Sequence, residues 1–143
     1  MTETDTQLRP ILVVDDDPYM RTSLMDCLVS CGYAVETAID GADALGKFRR
    51  GVYEMVITDI RMPKMGGLDL LKAVKGQAPE TPVIVITAYD SDTARETASR
   101  LRVNAYLRKP VDAEVLLDAV RRAVGPREVA PPAGAPGREG SLQ

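Results

Sequence analysis

The sequence predicts an α/β fold: a doubly wound, five-stranded parallel sheet with five helices on its two faces. Three observations carry this. Continuous apolar runs at Ile11-Leu12-Val13-Val14, Met55-Val56-Ile57 and Val83-Ile84-Val85-Ile86 read as strands covered on both faces. Stretches with apolar residues at helical spacing lie between them, so strand and helix alternate along the chain. The joining stretches are short. A doubly wound order, 2-1-3-4-5, puts a switch point beside the first strand and sets the first and third strands side by side.

Residues 1–9 are polar and predict a flexible arm, and residues 10–125 predict one folded domain. The first strand, Ile11 to Val14, runs into Asp15-Asp16-Asp17-Pro18. Asp17 is an N-cap with proline at the first helical position, and Met20, Leu24, Cys27, Leu28 and Cys31 recur at helical spacing until Gly32 stops the helix. Tyr33 to Ala38 predicts a second strand. Asp40-Gly41 opens a helix with Ala44, Leu45 and Phe48 on one face and Gly51 past its end. The third strand runs onto Asp59, and Met62-Pro63 is expected to stop it because proline cannot donate to a sheet ladder.

Gly66-Gly67 allow a sharp loop before the apolar stripe Leu68, Leu71 and Val74. The fourth strand, Pro82 to Thr87, ends on a hydroxyl beside Ala88. The helix after it, Ser91 to Leu101, offers only Ala94, Ala98 and Leu101 as an apolar face, a weak anchor of the kind found in elements that move cheaply. Asn104 to Leu107 predicts a short fifth strand, followed by Arg108, Lys109 and Pro110. Asp112 is expected to cap the last helix, with Leu116, Leu117, Val120, Ala123 and Val124 facing inward. Beyond it Pro, Ala and Gly dominate, so residues 126–143 predict a disordered tail or a truncated linker.

Composition excludes several function classes. The chain has 143 residues, about one domain's worth, with 45% hydrophobic and 27% charged residues, ordinary for a soluble globular protein. Its apolar runs are too short to span a bilayer, and its polar start lacks the features of a secretory signal, so a cytoplasmic location is expected. Cys27 and Cys31 read as reduced, buried small side chains. The chain contains no histidine, which removes Ser-His-Asp and Cys-His mechanisms, His-based zinc sites and a phosphohistidine-carrier role. A net charge of −3, with one Phe, five Tyr and no Trp, argues against nucleic acid as a direct partner.

Chemistry gathers at the strand ends. Asp59 lies at the carboxyl end of the third strand, where ligands of open α/β sheets bind, although an Asp there also serves as the N-cap of a following helix. Side by side, the first and third strands bring Asp15 and Asp16 to meet Asp59. Three carboxylates in one place repel one another unless a cation shares the site. Mg²⁺, or Mn²⁺, suits two or three Asp together with a backbone carbonyl and a phosphate oxygen. Lys109 adds a compact charge of the kind that contacts phosphate, and Thr87 adds a hydroxyl. Together these groups describe a phosphoryl-transfer site in which one carboxylate is the nucleophile. Singly, each has a plainer reading, as a surface lysine, a β-branched strand residue or loop acids.

Val13-Val14-Asp15-Asp16, Thr58-Asp59-Ile60-Arg61-Met62-Pro63 with Gly67, Thr87-Ala88, and Tyr106 before Lys109-Pro110 resemble the signature set of the response-regulator receiver domain of two-component signalling. The resemblance runs from about Ile11 to Val124. It implies a flavodoxin-like fold and a signalling switch that catalyses only its own phosphorylation and dephosphorylation. Asp59 would accept a phosphoryl group from the phosphohistidine of a sensor histidine kinase or phosphotransfer protein. Asp16, Asp59 and the Arg61 backbone carbonyl would bind Mg²⁺, with Asp15 helping, and Lys109 and Thr87 would hold the phosphoryl oxygens. Thr87 and Tyr106 would act as the switch pair, remodelling the face of the fourth helix, fifth strand and fifth helix. That face is the expected contact for an output protein or output domain, and for a homodimer formed on phosphorylation.

Three departures from the family pattern stand out. Gly66 replaces a frequent Asp, for which a looser loop is expected. Arg102 replaces a common Gly after the fourth helix. A non-Gly residue at positive φ costs on the order of 1 kcal/mol, so that helix is expected to end differently. Arg61 and Tyr89 place large side chains at two positions the family uses to tune hydrolysis, and they are expected to shield the acyl phosphate.

Two rival readings remain. Asp15-Asp16-Asp17 also satisfies the Asp-x-Asp of haloacid-dehalogenase-type phosphatases, although Pro18 and the missing later acidic pair tell against that family. A pseudo-receiver acting as a constitutive interaction module would usually have lost the acceptor or the acidic pair, and both are present here. Such a receiver either stands alone and signals by docking or forms the receiver part of a longer protein.

Overall fold

A computed structural model describes residues 9–125. The expected tail over 126–143, and the expected arm apart from Arg9, fall outside the described residues. The elements run β1 (Ile11–Val14), α1 (Pro18–Ser30), β2 (Val35–Ala38), α2 (Gly41–Arg50), β3 (Met55–Thr58), α3 (Gly67–Gln77), β4 (Val83–Thr87), α4 (Asp92–Arg100), β5 (Ala105–Arg108) and α5 (Ala113–Val124). All the strands pair in parallel, in the order β2-β1-β3-β4-β5.

The period of two along the strands divides the core into layers. On one face Leu12, Val14, Val56 and Val83 pack with Ala44 and Phe48 of α2, Leu70, Leu71 and Val74 of α3, and Ala98 of α4. On the other, Ile11, Val13, Ile57, Ile84 and Ile86 pack with Leu24 and Leu28 of α1 and Leu116, Leu117 and Val120 of α5. β1, β3 and β4 are buried along their whole length because both faces are covered, which is why they read as unbroken apolar runs.

Several local expectations need correction. β2 begins at Val35 rather than Tyr33, because Gly32 (φ 95°) and Tyr33 close α1: their N–H groups donate to the carbonyls of Val29 and Leu28. β3 ends at Thr58, so Pro63 does not terminate it. The buried stripe of α3 is Leu70, Leu71 and Val74, with Leu68 half-buried. β5 is shifted to Ala105–Arg108, and Asn104 before it accepts from Val83 N–H through its side chain. Asp112 occupies the N-cap position of α5 without a side-chain hydrogen bond.

Arg102 does not change how α4 ends. It adopts the left-handed conformation itself (φ 67°), with Arg102 N–H donating to Ser99 O and Val103 N–H to Ala98 O, each at 3.0 Å. Those two bonds, and the packing of Val103 and Leu101 against the core, outweigh a conformational penalty of about 1 kcal/mol. At Gly66 the chain is extended (φ −78°) and α3 has no side-chain cap. The loop before α3 is nonetheless tied down, by Gly67 N–H to Ile60 O at 2.8 Å and Gly41 N–H to Met65 O at 3.1 Å.

Candidate functional site

The site lies where β1, β3 and β4 run out, beside the switch point of the sheet. Asp15 extends the line of β1, its N–H donating to Ala38 O at 3.2 Å, and Asp59 extends β3, its N–H donating to Val14 O at 3.2 Å. Lys109 follows β5 and is fixed at its backbone by donation to Thr87 O at 2.8 Å. Three sheet-like bonds therefore set the positions from which the side chains converge.

Lys109 Nζ donates to Asp59 Oδ2 at 2.9 Å and to Asp15 Oδ2 at 3.0 Å. Asp15 and Asp59 are buried, with 1% and 6% of their surface exposed, whereas Asp16 faces solvent. One carboxylate oxygen from each of Asp15, Asp16 and Asp59 falls within 4.8 Å of the other two. Asp59 Oδ1 accepts from Ile60 N–H at 2.6 Å, and Asp15 Oδ1 accepts from Asp17 N–H at 2.9 Å, so both buried acids are held in orientation.

Burial is the largest influence on Asp15 and holds its carboxyl above the usual carboxylate value; the Asp17 N–H and Lys109 oppose it. Burial also pushes the Lys109 ammonium down, but its hydrogen bonds to Asp59 and Asp15 and their charges prevail, so its value is raised. Three acids and one lysine leave the cluster short of positive charge. An oxygen-only donor set, partly buried and open at Asp16, fits a hard divalent cation.

Gly67 is a steric requirement of the site. A Cβ there would stand 1.8 Å from the Asp59 carbonyl oxygen, so only glycine lets the start of α3 close on the backbone of Asp59. Arg21, which the sequence reading did not single out, donates to Asp15 O at 2.8 Å and braces the turn that carries the acidic pair. Its helical position gave no signal of that reach.

Thr87 is fully buried, and its Oγ1 accepts from Tyr89 N–H at 2.9 Å, within its own loop. Tyr106 is half-buried on β5 and donates its hydroxyl to Asp90 Oδ1 at 3.1 Å. Arg61 and Tyr89, from different loops, meet at the rim, with the guanidinium carbon 4.2 Å from the ring centroid. Asp17 is not among the three clustered carboxylates; its side chain caps α1, accepting from Tyr19 N–H at 3.0 Å.

Residues 11–121 match the family model described as the response regulator receiver domain. The transcriptional regulatory protein DltR of Streptococcus agalactiae is 35% identical over 111 residues, covering 78% of this chain and 50% of that protein. ZraR of Klebsiella oxytoca, also named a transcriptional regulatory protein, is 44% identical over 107 residues, covering 74% of this chain and 24% of the relative. The chain thus spans half or less of these relatives' length. Among solved structures, a CheY-like response regulator receiver domain protein from Methanospirillum hungatei superposes with a TM-score of 0.80 at 30% identity, covering 82% of this chain and 94% of the other.

Proposed function

Because this chain belongs to the response regulator receiver domain family, we propose that it is a phosphorylation-dependent switch whose Asp59 takes a phosphoryl group from the phosphohistidine of a sensor histidine kinase or phosphotransfer protein. A carboxylate oxygen of Asp59 attacks phosphorus, the P–N bond of the phosphohistidine breaks, and its electron pair returns to the imidazole nitrogen. The observation that supports this reading most is the Lys109 ammonium held between Asp59 and Asp15, a positive charge beside the carboxylate that would carry the phosphoryl group.

Asp16, Asp59 and Asp15 are the side chains that would hold Mg²⁺, together with the Arg61 carbonyl; Mn²⁺ suits the same oxygen donors. When bound, the ion would neutralise charge on the entering phosphoryl group. Lys109 then exchanges a carboxylate for a phosphoryl oxygen, and Thr87 turns its hydroxyl from Tyr89 N–H toward the same group. Tyr106 follows, and the face made by α4, β5 and α5 changes. That face is the contact for an output protein or output domain and for a homodimer formed on phosphorylation. Arg61 and Tyr89, stacked over the rim, limit water's access to the acyl phosphate.

In this reading residues 10–125 are the receiver unit, and it catalyses no reaction beyond its own phosphorylation and dephosphorylation. No described helix is long and apolar enough to cross a membrane; the proposed location is cytoplasmic. The test is intact mass after incubation with a small acyl-phosphate donor and Mg²⁺: wild type gains one phosphoryl group, and a metal-free control gains none. Turnover of a phosphate monoester without a stable adduct would contradict the reading.

A further inference from the structure

Asp90 stands at the centre of a polar cluster that the phosphoryl-transfer chemistry does not use. Its Oδ1 accepts from the Tyr106 hydroxyl at 3.1 Å, and its Oδ2 pairs with the Arg95 guanidinium and lies 3.7 Å from Arg108 Nε. Arg95 also covers the Tyr106 ring, its guanidinium carbon 5.6 Å from the centroid. The Asp90 side chain is only 18% exposed. This one carboxylate therefore joins the loop after β4 to the first turns of α4 and to two residues of β5.

Little else fastens that part of the molecule. Ala98 is the only buried residue of α4, and it lies in the second half of the helix. The first half is held by the Ser91 cap, whose hydroxyl accepts from Ala94 N–H at 3.0 Å, and by the Asp90 cluster. At the opposite end of the same short loop, Tyr89 N–H donates to Thr87 Oγ1. Consecutive residues, Tyr89 and Asp90, thus tie the hydroxyls of Thr87 and Tyr106 respectively.

We propose that Asp90 is a latch: a positioning residue that holds Tyr106 and the start of α4 in the resting arrangement and couples Thr87 to Tyr106 through one loop. This rests on the receiver reading above. When Thr87 Oγ1 turns toward a phosphoryl oxygen, Tyr89 N–H loses its acceptor and the loop shifts. The adjoining Asp90 carboxylate is drawn off the Tyr106 hydroxyl, which frees the ring and loosens α4. The latch opposes the activated arrangement, so removing it favours that arrangement before any phosphate arrives.

The experiment compares the full chain with Asp90→Ala, Tyr106→Phe and the double variant. Two readouts are taken: amide hydrogen exchange of the unphosphorylated proteins, and the rate of phosphoryl uptake from a small acyl-phosphate donor with Mg²⁺. In Asp90→Ala, exchange in α4 rises about five-fold, the factor for one net hydrogen bond, while β1 and β3 keep wild-type protection. Phosphoryl uptake rises by a similar factor, whereas a merely structural role would leave it unchanged or lower it. Tyr106→Phe reproduces part of both effects, and the double variant adds little to Asp90→Ala. Asp90→Asn keeps the shape and a phenol acceptor but loses the ion pairs, and gives a smaller change of the same sign in a chain that folds. Normal uptake with unchanged α4 exchange and rate in both Asp90 variants overturns the latch alone. No uptake by wild type overturns the receiver reading and the latch's role with it.

Discussion

Lys109 Nζ lies 2.9 Å from Asp59 Oδ2, so the cation proposed to meet an incoming phosphoryl group also neutralises the proposed acceptor at rest. Because the same nitrogen reaches Asp15 at 3.0 Å, it holds two carboxylates that would otherwise repel. Removing it leaves three acids facing one another. Lys109→Ala is predicted to destabilise the metal-free chain by about 2 kcal/mol, and Mg²⁺ is predicted to recover most of the loss. Urea unfolding with and without Mg²⁺ checks this; an equal loss in both conditions would show that Lys109 and the metal do not share the same carboxylates.

Two glycines of α3 should respond in opposite ways to the same substitution. Gly67→Ala puts a methyl 1.8 Å from the Asp59 carbonyl oxygen and is predicted to cost about 3 kcal/mol and to weaken Mg²⁺ binding by displacing the backbone of Asp59. Gly76 has nothing within 4 Å of its added Cβ, so Gly76→Ala is predicted to gain about 0.5–1 kcal/mol. Thermal unfolding of the two variants side by side gives the comparison.

The Arg61–Tyr89 stack bridges two loops over the site, and both side chains are largely exposed. Each substitution to alanine is predicted to speed loss of the phosphoryl group about two- to five-fold, on the scale of one exposed cation–π contact. The double variant should go no faster than either single one, because each half of the stack depends on the other. Independent, multiplicative effects would show two separate roles.

Tyr53 gives the chain an alkaline sensitivity. Burial, then its 2.5 Å hydrogen bond to Glu36, pushes its phenol up from 10.0 to about 12. The folded protein therefore keeps this proton over a range in which the unfolded chain has lost it. Its contribution is intact below pH 10 and declines as pH rises toward about 12. Burial, then the hydrogen bond to Asp90, also pushes the Tyr106 phenol up, so late phenolate absorbance should fall by one tyrosine in Tyr53→Phe rather than vanish, and that variant should lose less stability than wild type over the same interval.

Strands buried on both faces announce themselves as apolar runs, and residues at their ends inherit a common location from the topology. Asp15, Asp59 and Lys109 were therefore legible, as was the Asp17-Pro18 start of α1. Asp90 was not, because its partners Arg95, Tyr106 and Arg108 meet it through long side chains on different elements, and such pairing leaves no period in the sequence. The inward turn of Leu70 depends on how α3 rotates against the sheet, which apolar spacing alone does not decide between Leu68 and Leu70. Arg102 was misread for a different reason: residue type predicts the strain of positive φ, while the bonds that outweigh it come from the fold.

The central claim is that Asp59 itself carries the phosphoryl group, and borohydride trapping followed by peptide mapping tests it most directly. Hydride reduces an aspartyl phosphate to the alcohol and releases phosphate, so a chain treated with acyl-phosphate donor and Mg²⁺ should yield homoserine at position 59. The Asp59→Ala variant should yield none anywhere. Homoserine at 15 or 16 in wild type, or an adduct that persists in Asp59→Ala, would contradict the account.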